Sequence, residues 1–178
     1  MKLLFLTSVV VLVLVTLCSL RSKDRPTDYS RFVGQIQSKV VEKISKKYKA
    51  DCVGQGGMTI GCKCKIFLEF QVRRPLNRDE SRRILIDASE ELLKTVNETV
   101  MLRPYLRDFP FTSKNIEVVI YSCNNDGTKV YDPFITASSV FASDEIMFAT
   151  SDPLKRYGYK NEYWENYKEA LEFVQKQQ

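Results

Sequence analysis

The chain contains no histidine in its 178 residues. That removes the commonest general base, the Ser-His and Cys-His nucleophile pairs and the commonest zinc ligand. Glycine is sparse, at 7 residues, and three of these fall in one stretch, Gly54-Gln55-Gly56-Gly57. Neither a Lys-Ser/Thr pair nor a helix start follows, so this is not a phosphate-binding loop. Internal repeats and Pro- or Gly-rich linkers are also lacking, and one domain is expected. Excess charge is small: the net +5 falls to +3 without residues 1–22, which hold Lys2 and Arg21 and no acid. A nucleic-acid partner would want a stronger basic stripe.

The one long hydrophobic run lies at the start. Lys2 precedes Leu3 to Val15, interrupted only by Thr7 and Ser8, and a more mixed Thr16 to Ser22 follows. A short basic start, an apolar centre and small residues near Cys18 and Ser19 resemble a secretory signal. Three fates follow for residues 1–22. Cleavage as a signal peptide is favoured by the short apolar centre. Lipidation at Cys18 would follow a bacterial lipobox, although Leu17 stands where that pattern wants a small residue. Retention as an anchor is the third, because Leu3 to Leu20 reaches the lower limit of length for a bilayer span. All three export residues 23–178, to be periplasmic, secreted or membrane-anchored facing outward, and the last two make the membrane a partner.

With 44% apolar residues the remainder can build an ordinary core. From Met58 to Val72 the even positions are apolar and the odd ones mainly polar, which predicts a strand covered on one side. Phe67 breaks the pattern, and Gly61 is a candidate bulge or bend. Arg73-Arg74-Pro75 ends the strand. Asn77, with Glu80 three residues on, predicts a capping box opening a helix. Leu85, Ala88, Leu92, Val96 and Val100 then recur at helical spacing up to Pro104. Asn115 to Cys123 predicts a second apolar strand.

Before this unit, Thr27 or Asp28 is placed to cap a helix carrying Tyr29, Phe32, Val33, Ile36, Val40, Val41 and Ile44. A short strand at Tyr48–Cys52 is expected to turn at Gly54–Gly57 into the long one. After it, Asn124-Asn125-Asp126-Gly127 predicts a hairpin turn, followed by a return strand over Thr128–Tyr131 and Phe134–Phe141. Ser143-Asp144 predicts another turn and Glu145–Thr150 another strand. Asp152-Pro153 is read as opening a last helix that carries Tyr163, Trp164, Tyr167, Ala170, Leu171 and Val174. The expected fold class is α+β, with a mostly antiparallel sheet of about five strands and helices chiefly on one face.

Cys52, Cys62, Cys64 and Cys123 are disulfide candidates, because an even number of cysteines in an exported domain favours bridges. Cys52–Cys62 and Cys64–Cys123 are preferred, with the swapped pairing close behind. Zinc is disfavoured by the lack of closely spaced cysteine pairs, and buried free thiols are the plain alternative. Arg73, Arg74, Arg78, Arg82 and Arg83 cluster about the central helix start, as a face for phosphate or an acidic partner or as solvated charge paired with Asp79 and Glu80. Tyr157, Tyr159, Tyr163 and Trp164 form a dense aromatic group, the strongest hint of a partner-binding surface. Asn97-Glu98-Thr99 matches a glycosylation acceptor pattern inside a helix. Asp79, Glu80, Asp87, Glu90, Glu91, Asp144 and Glu145 are spaced as caps, helix faces and turns rather than as a catalytic pair.

The wording of Leu102-Arg103-Pro104-Tyr105-Leu106 and Pro110-Phe111-Thr112-Ser113-Lys114-Asn115-Ile116 resembles exported, uncharacterised proteins of intracellular bacteria. The resemblance covers a small part of the chain and implies no activity. The leading expectation is an exported, non-catalytic domain that binds a protein or small ligand, without metal or cofactor. An envelope structural protein anchored through residues 1–22 comes second, and a histidine-free enzyme using carboxylates third.

Overall fold

A computed structural model describes residues 28–60, 63–106 and 108–177, with side chains at 58–60, 63 and 64 excepted. Ile66, Leu68, Phe70 and Val72 are fully buried, while Phe67, Glu69 and Gln71 between them are half-buried. That is the alternation the spacing predicts. These residues belong to β2 (Lys63–Val72) in one sheet of order β1-β2-β3-β4-β5-β6. Its other strands are β1 (Ala50–Ile60), β3 (Ile116–Ser122), β4 (Ala137–Phe141), β5 (Glu145–Thr150) and β6 (Asn161–Asn166). Every neighbouring pair is antiparallel except β2 and β3. A parallel pair needs a crossover, and helix α2 (Arg78–Glu98) provides it. Helix α1 (Asp28–Tyr48) precedes the sheet and α3 (Tyr167–Gln175) follows it. The fold is α+β.

Helix starts and inner faces follow local chemistry. The Asn77 side chain accepts from the Glu80 amide at 2.9 Å, and the Glu80 carboxylate accepts from the Asn77 amide at 3.1 Å. This reciprocal cap satisfies two backbone donors that the helix itself leaves without partners. Ile84, Leu85, Ala88, Leu92 and Val96 of α2 join Val33, Ile36, Val40 and Ile44 of α1 and Ala170 and Val174 of α3 in one core. The sheet contributes Ile66, Leu68, Phe70, Val118, Ile120, Val140, Ile146 and Phe148 to the same core. At Ser81 the hydroxyl of α2 meets that of Ser138 on β4 at 2.7 Å, and both residues are fully buried. Two such small side chains let the helix sit close to the strand. Helix α2 ends at Glu98, and Pro104 lies within a separate 3-10 segment, Val100–Tyr105.

Several expectations are corrected. The predicted hairpin turn at Gly54–Gly57 is strand: Gly54 faces Glu69, Gly56 faces Phe67 and Gly57 faces Ile66, after a bulge at Val53. A Cβ on Gly54 would lie 2.7 Å from the Glu69 carboxylate, and one on Gly56 would lie 2.5 Å from the Phe67 ring. Glycine therefore makes room for two large side chains reaching across from β2. The two strands pair as far as Ile60 with Lys63, and residues 61–62, which include the candidate bulge Gly61, lie outside the described residues. The predicted strand from Met58 is accordingly two strands.

The return strand shrinks to β4. Its first part survives only as the bridge of Cys123 with Lys129, and Ile135, just before β4, bridges to Leu76. The predicted turn at Asn124–Gly127 is present, with Gly127 at φ 83° and its amide on the Asn124 carbonyl at 2.9 Å. Asp152-Pro153 opens no helix. The Asp152 carboxylate accepts from the Leu154 amide at 2.9 Å in a turn, and Gly158 takes φ 87°, which a helix cannot contain. The chain then forms β6, the sixth strand, and the last helix starts only at Tyr167, capped by Asn166.

Two of the expected disulfide pairings, Cys64–Cys123 and Cys52–Cys64, do not fit the register. Cys52 faces Phe70, whereas Cys64 faces Thr59, seven residues along β1. At 3.3 Å per residue that is roughly 23 Å, far beyond disulfide reach. Cys123 stands beside Val72, with its amide on the Val72 carbonyl at 3.1 Å. Cys64 lies eight residues from Val72 at the other end of β2, so it cannot meet Cys123. Cys52 and Cys123 are free thiols. Cys62, like Cys18, lies outside the described residues, so the Cys52–Cys62 pairing is not addressed by them.

Candidate functional site

All three helices pack on one side of the sheet, which leaves the other side uncovered by helix. Strand alternation and register assign its residues. One row across the sheet runs Gly54, Glu69, Val119, Ser139, Met147, Trp164. Phe67, Glu117 and Phe141 form a row on one side of it, with Glu145 and Asn166 further along. On its other side stand Gln71, Tyr121, Ala137, Ala149 and Glu162. The middle is small or slim: Val119, Ala137, Ser139, Met147 and Ala149 are buried, yet none of them belongs to the main core on the helix side. Aromatic side chains surround this floor. Trp164 is 54% exposed and Phe141 46%, with Phe67 and Tyr121 half-buried.

Tyr159 stands close by, since it and the carboxylates of Glu69 and Glu117 all act on the Tyr121 phenol. Burial first, and those neighbours second, push that phenol above its ordinary range. The face is acidic as well as aromatic. Glu69, Glu117, Glu145 and Glu162 lie on it, and none is within ion-pair distance of a cation among the described residues. The Ser139 hydroxyl in the floor is buried without a hydrogen-bond partner among the described residues. Aromatic faces attract cations, most strongly when carboxylates stand near.

The predicted aromatic group divides. Trp164 belongs to this face and Tyr159 to its border. Tyr163 points to the helix side, where its ring lies 5.2 Å from the Arg78 guanidinium. Tyr157 is exposed on the loop before β6, beside Arg156.

The predicted arginine cluster is spent on internal partners. Arg73 pairs with Asp51 at 3.1 Å and Arg74 with Glu80 at 2.8 Å. Arg82 is only 8% exposed; it grips Glu165 of β6 through two bonds of 2.5 and 2.8 Å and also binds Asp79. Its guanidinium lies 4.6 Å from the centre of the Phe173 ring, and that of Arg78 lies 5.3 Å from the centre of the Phe148 ring. Arg78 reaches Glu165 at 3.5 Å. These arginines fasten α2 to β6 and present no joint anion cradle.

Two grooves lie elsewhere. One of about 550 Å³ runs between α1 and the β1 bulge, lined by Ser38, Val41, Glu42, Cys52, Val53, Gly54 and Gln55. Burial raises the Cys52 thiol above its ordinary range, which makes it a poor nucleophile. The other, about 270 Å³, follows the seam where Lys43 meets Glu91 and Lys47 meets Asp87, so its charges already answer one another. The Asn97 amide is occupied on both sides by the Phe111 backbone, at 3.0 and 2.8 Å, which disfavours glycosylation there. Among the described residues no group of three or more Cys, Asp or Glu is placed to hold a metal ion, and no helix is long and apolar enough to cross a membrane.

Phe67, Glu69, Glu117, Tyr121, Ser139, Phe141 and Met147 are the members of the face that sequence reasoning missed as a group. Phe67 alone had signalled itself, as the apolar residue on a polar side. Comparisons with protein-family models, curated proteins and solved structures gave no match to this chain.

Proposed function

We propose that this protein is an exported binding domain that docks a basic, partly apolar segment of another protein on the helix-free face of its sheet. The observation that carries the reading is the pairing of exposed Trp164 and Phe141 with four glutamates that lack a described counter-ion. A cationic side chain laid on this face gains aromatic and carboxylate contacts at once, while its apolar neighbours pack on the exposed Phe141 and Trp164 rings. The chain as a whole is basic, at a net +5, yet this face carries four glutamates without a described counter-ion. Export is supported by the apolar run that follows Lys2.

Trp164 is the only tryptophan, so its emission reports on this face without a label. The full chain is titrated with a synthetic peptide of alternating arginine and leucine, and separately with a glutamate-leucine peptide. A saturable change of Trp164 emission with the basic peptide, weakened by salt and by Glu69→Gln with Glu117→Gln, supports the reading. Equal response to both peptides, or no saturable response to the basic one, overturns it.

A further inference from the structure

Strand β6 ends the sheet and has a neighbouring strand, β5, on one side only. A hydrogen bond at its end fixes which way its backbone groups point. The Tyr167 amide donates to the Asp144 carbonyl at 2.8 Å, one position beyond Asn166 opposite Glu145. In an antiparallel ladder such bonded pairs recur at every second residue. Glu165, Tyr163 and Asn161 therefore bond to β5, while the amides and carbonyls of Glu162 and Trp164 point away from it. Both residues are exposed, and nothing among the described residues bonds to these outward groups.

An open edge invites another strand, and sheets usually blunt theirs with lysine, proline or a bulge. Strand β6 contains neither lysine nor proline, and its register with β5 runs without a shift. The opposite edge differs. Strand β1 bulges at Val53, and its Gly56 carbonyl already accepts from Gln37 of α1 at 2.7 Å.

Side chains decide what fits the open edge. The residues with free backbone groups are those whose side chains, Glu162 and Trp164, belong to the helix-free face. A strand laid beside them sets alternate side chains next to a carboxylate and an indole, and sets the others next to Tyr163. A second copy of β6 would bring another Glu162 to this acidic edge, whereas a basic strand brings the opposite charge.

We infer that the docked segment joins the sheet as a seventh strand, hydrogen-bonded to the amides and carbonyls of Glu162 and Trp164. The inference rests on the docking face proposed above and adds the form of the ligand, an extended chain with basic side chains at every second position. Main-chain bonds hold such a strand, and its alternate side chains select it.

The test uses the full chain, the arginine-leucine peptide and two forms of that peptide methylated on backbone nitrogen, at every arginine or at every leucine. Each methylation removes the donors along one edge of the extended peptide and keeps its side chains and charge. Only one edge of an added strand meets β6. One methylated form should therefore bind roughly 10- to 100-fold more weakly, as expected for two or three lost bonds, and the other about as well as the parent. The weakened form is the arginine one for an antiparallel strand and the leucine one for a parallel strand. Amide hydrogen exchange at Glu162 and Trp164, read by nuclear magnetic resonance, should be fast in the free chain and slow severalfold in the complex. Equal affinity of the two methylated forms, or no slowing at these amides, overturns the inference and leaves the docking face standing. Protection of both amides in the free chain also overturns it, because the edge would already be taken. A parent peptide that fails to bind removes the docking face and this inference together.

Discussion

Removing the Glu165 carboxylate should unfasten β6. The side chains of Arg82 and Glu165 are 9% and 16% exposed, so their twofold contact is largely shielded from water. Deleting one partner of a buried pair costs about 3–5 kcal/mol, chiefly because the other charge is left behind. Asp79 stays on Arg82, but it is 65% exposed and compensates only in part. Glu165→Ala should therefore cost roughly 2–4 kcal/mol, allowing for that residual partner. For a domain of this size the midpoint of thermal unfolding should fall by roughly 5–15 °C. Replacing both partners, Arg82→Met with Glu165→Leu, should recover most of the loss, since an apolar pair of similar volume avoids the desolvation of two ions. Equilibrium urea denaturation of the parent, Arg82→Met, Glu165→Leu and the double variant measures the coupling, with slopes compared to verify that the unfolded states match. A Glu165→Ala chain within about 0.5 kcal/mol of the parent refutes the reasoning, because that is the scale of ordinary surface substitutions. Strict additivity in the double variant refutes it equally.

Asn77→Ala removes the reciprocal cap of α2 and should cost about 1 kcal/mol in the same assay. Gly56→Ala drives a Cβ into the Phe67 ring; it should destabilise the parent and do markedly less harm in a Phe67→Ala chain. Burial and the neighbouring carboxylates of Asp87 and Glu90 hold the Tyr48 and Tyr167 phenols well above the ordinary tyrosine range. Because the folded value is the raised one, stability is unaffected below the unfolded pKa of about 10 and declines as pH rises past it. Ultraviolet difference absorbance should show these two tyrosines ionising only as the chain unfolds. Peptide mapping of oxidatively prepared protein, alkylated without reduction after unfolding, should find no bridge from Cys64 to Cys52 or Cys123; either cross-link would contradict the register.

What could be read from the sequence was whatever is decided locally. The alternation Ile66–Val72, the cap at Asn77 with Glu80, the stripe through Leu85, Leu92 and Val96 and the turn ending at Gly127 each depend on residues a few positions apart, and each is present. The errors arose where a distant strand supplies the reason. Gly54 and Gly56 look like turn residues until Glu69 and Phe67 are seen lying over them. Pro153 reads as a helix start because nothing nearby reveals that Glu162 and Trp164 will pair beside Ala149 and Met147. Arg82 reads as surface charge because its partner is 83 positions away. The aromatic face suffers most, since its members come from five strands and share only register.

Residues alternate in function along β6. Tyr163 and Glu165 face the helices and are held there by Arg78 and Arg82, while Glu162 and Trp164 face the open side. Otherwise the strand is held by β5, by the Asn161 side chain, which donates to Asp132 at 3.1 Å, and by α3, which continues from it without a break. The arginines that looked like a binding surface therefore set the position of Trp164 from behind. Glu165→Gln keeps the shape and loses the charge, so it should loosen β6 while leaving every group of the docking face in place. In the peptide titration it should weaken binding through faster dissociation, and faster amide hydrogen exchange should be confined to β6 and the start of α3. Unchanged peptide affinity together with faster exchange in β6 would show that the clamp serves stability alone.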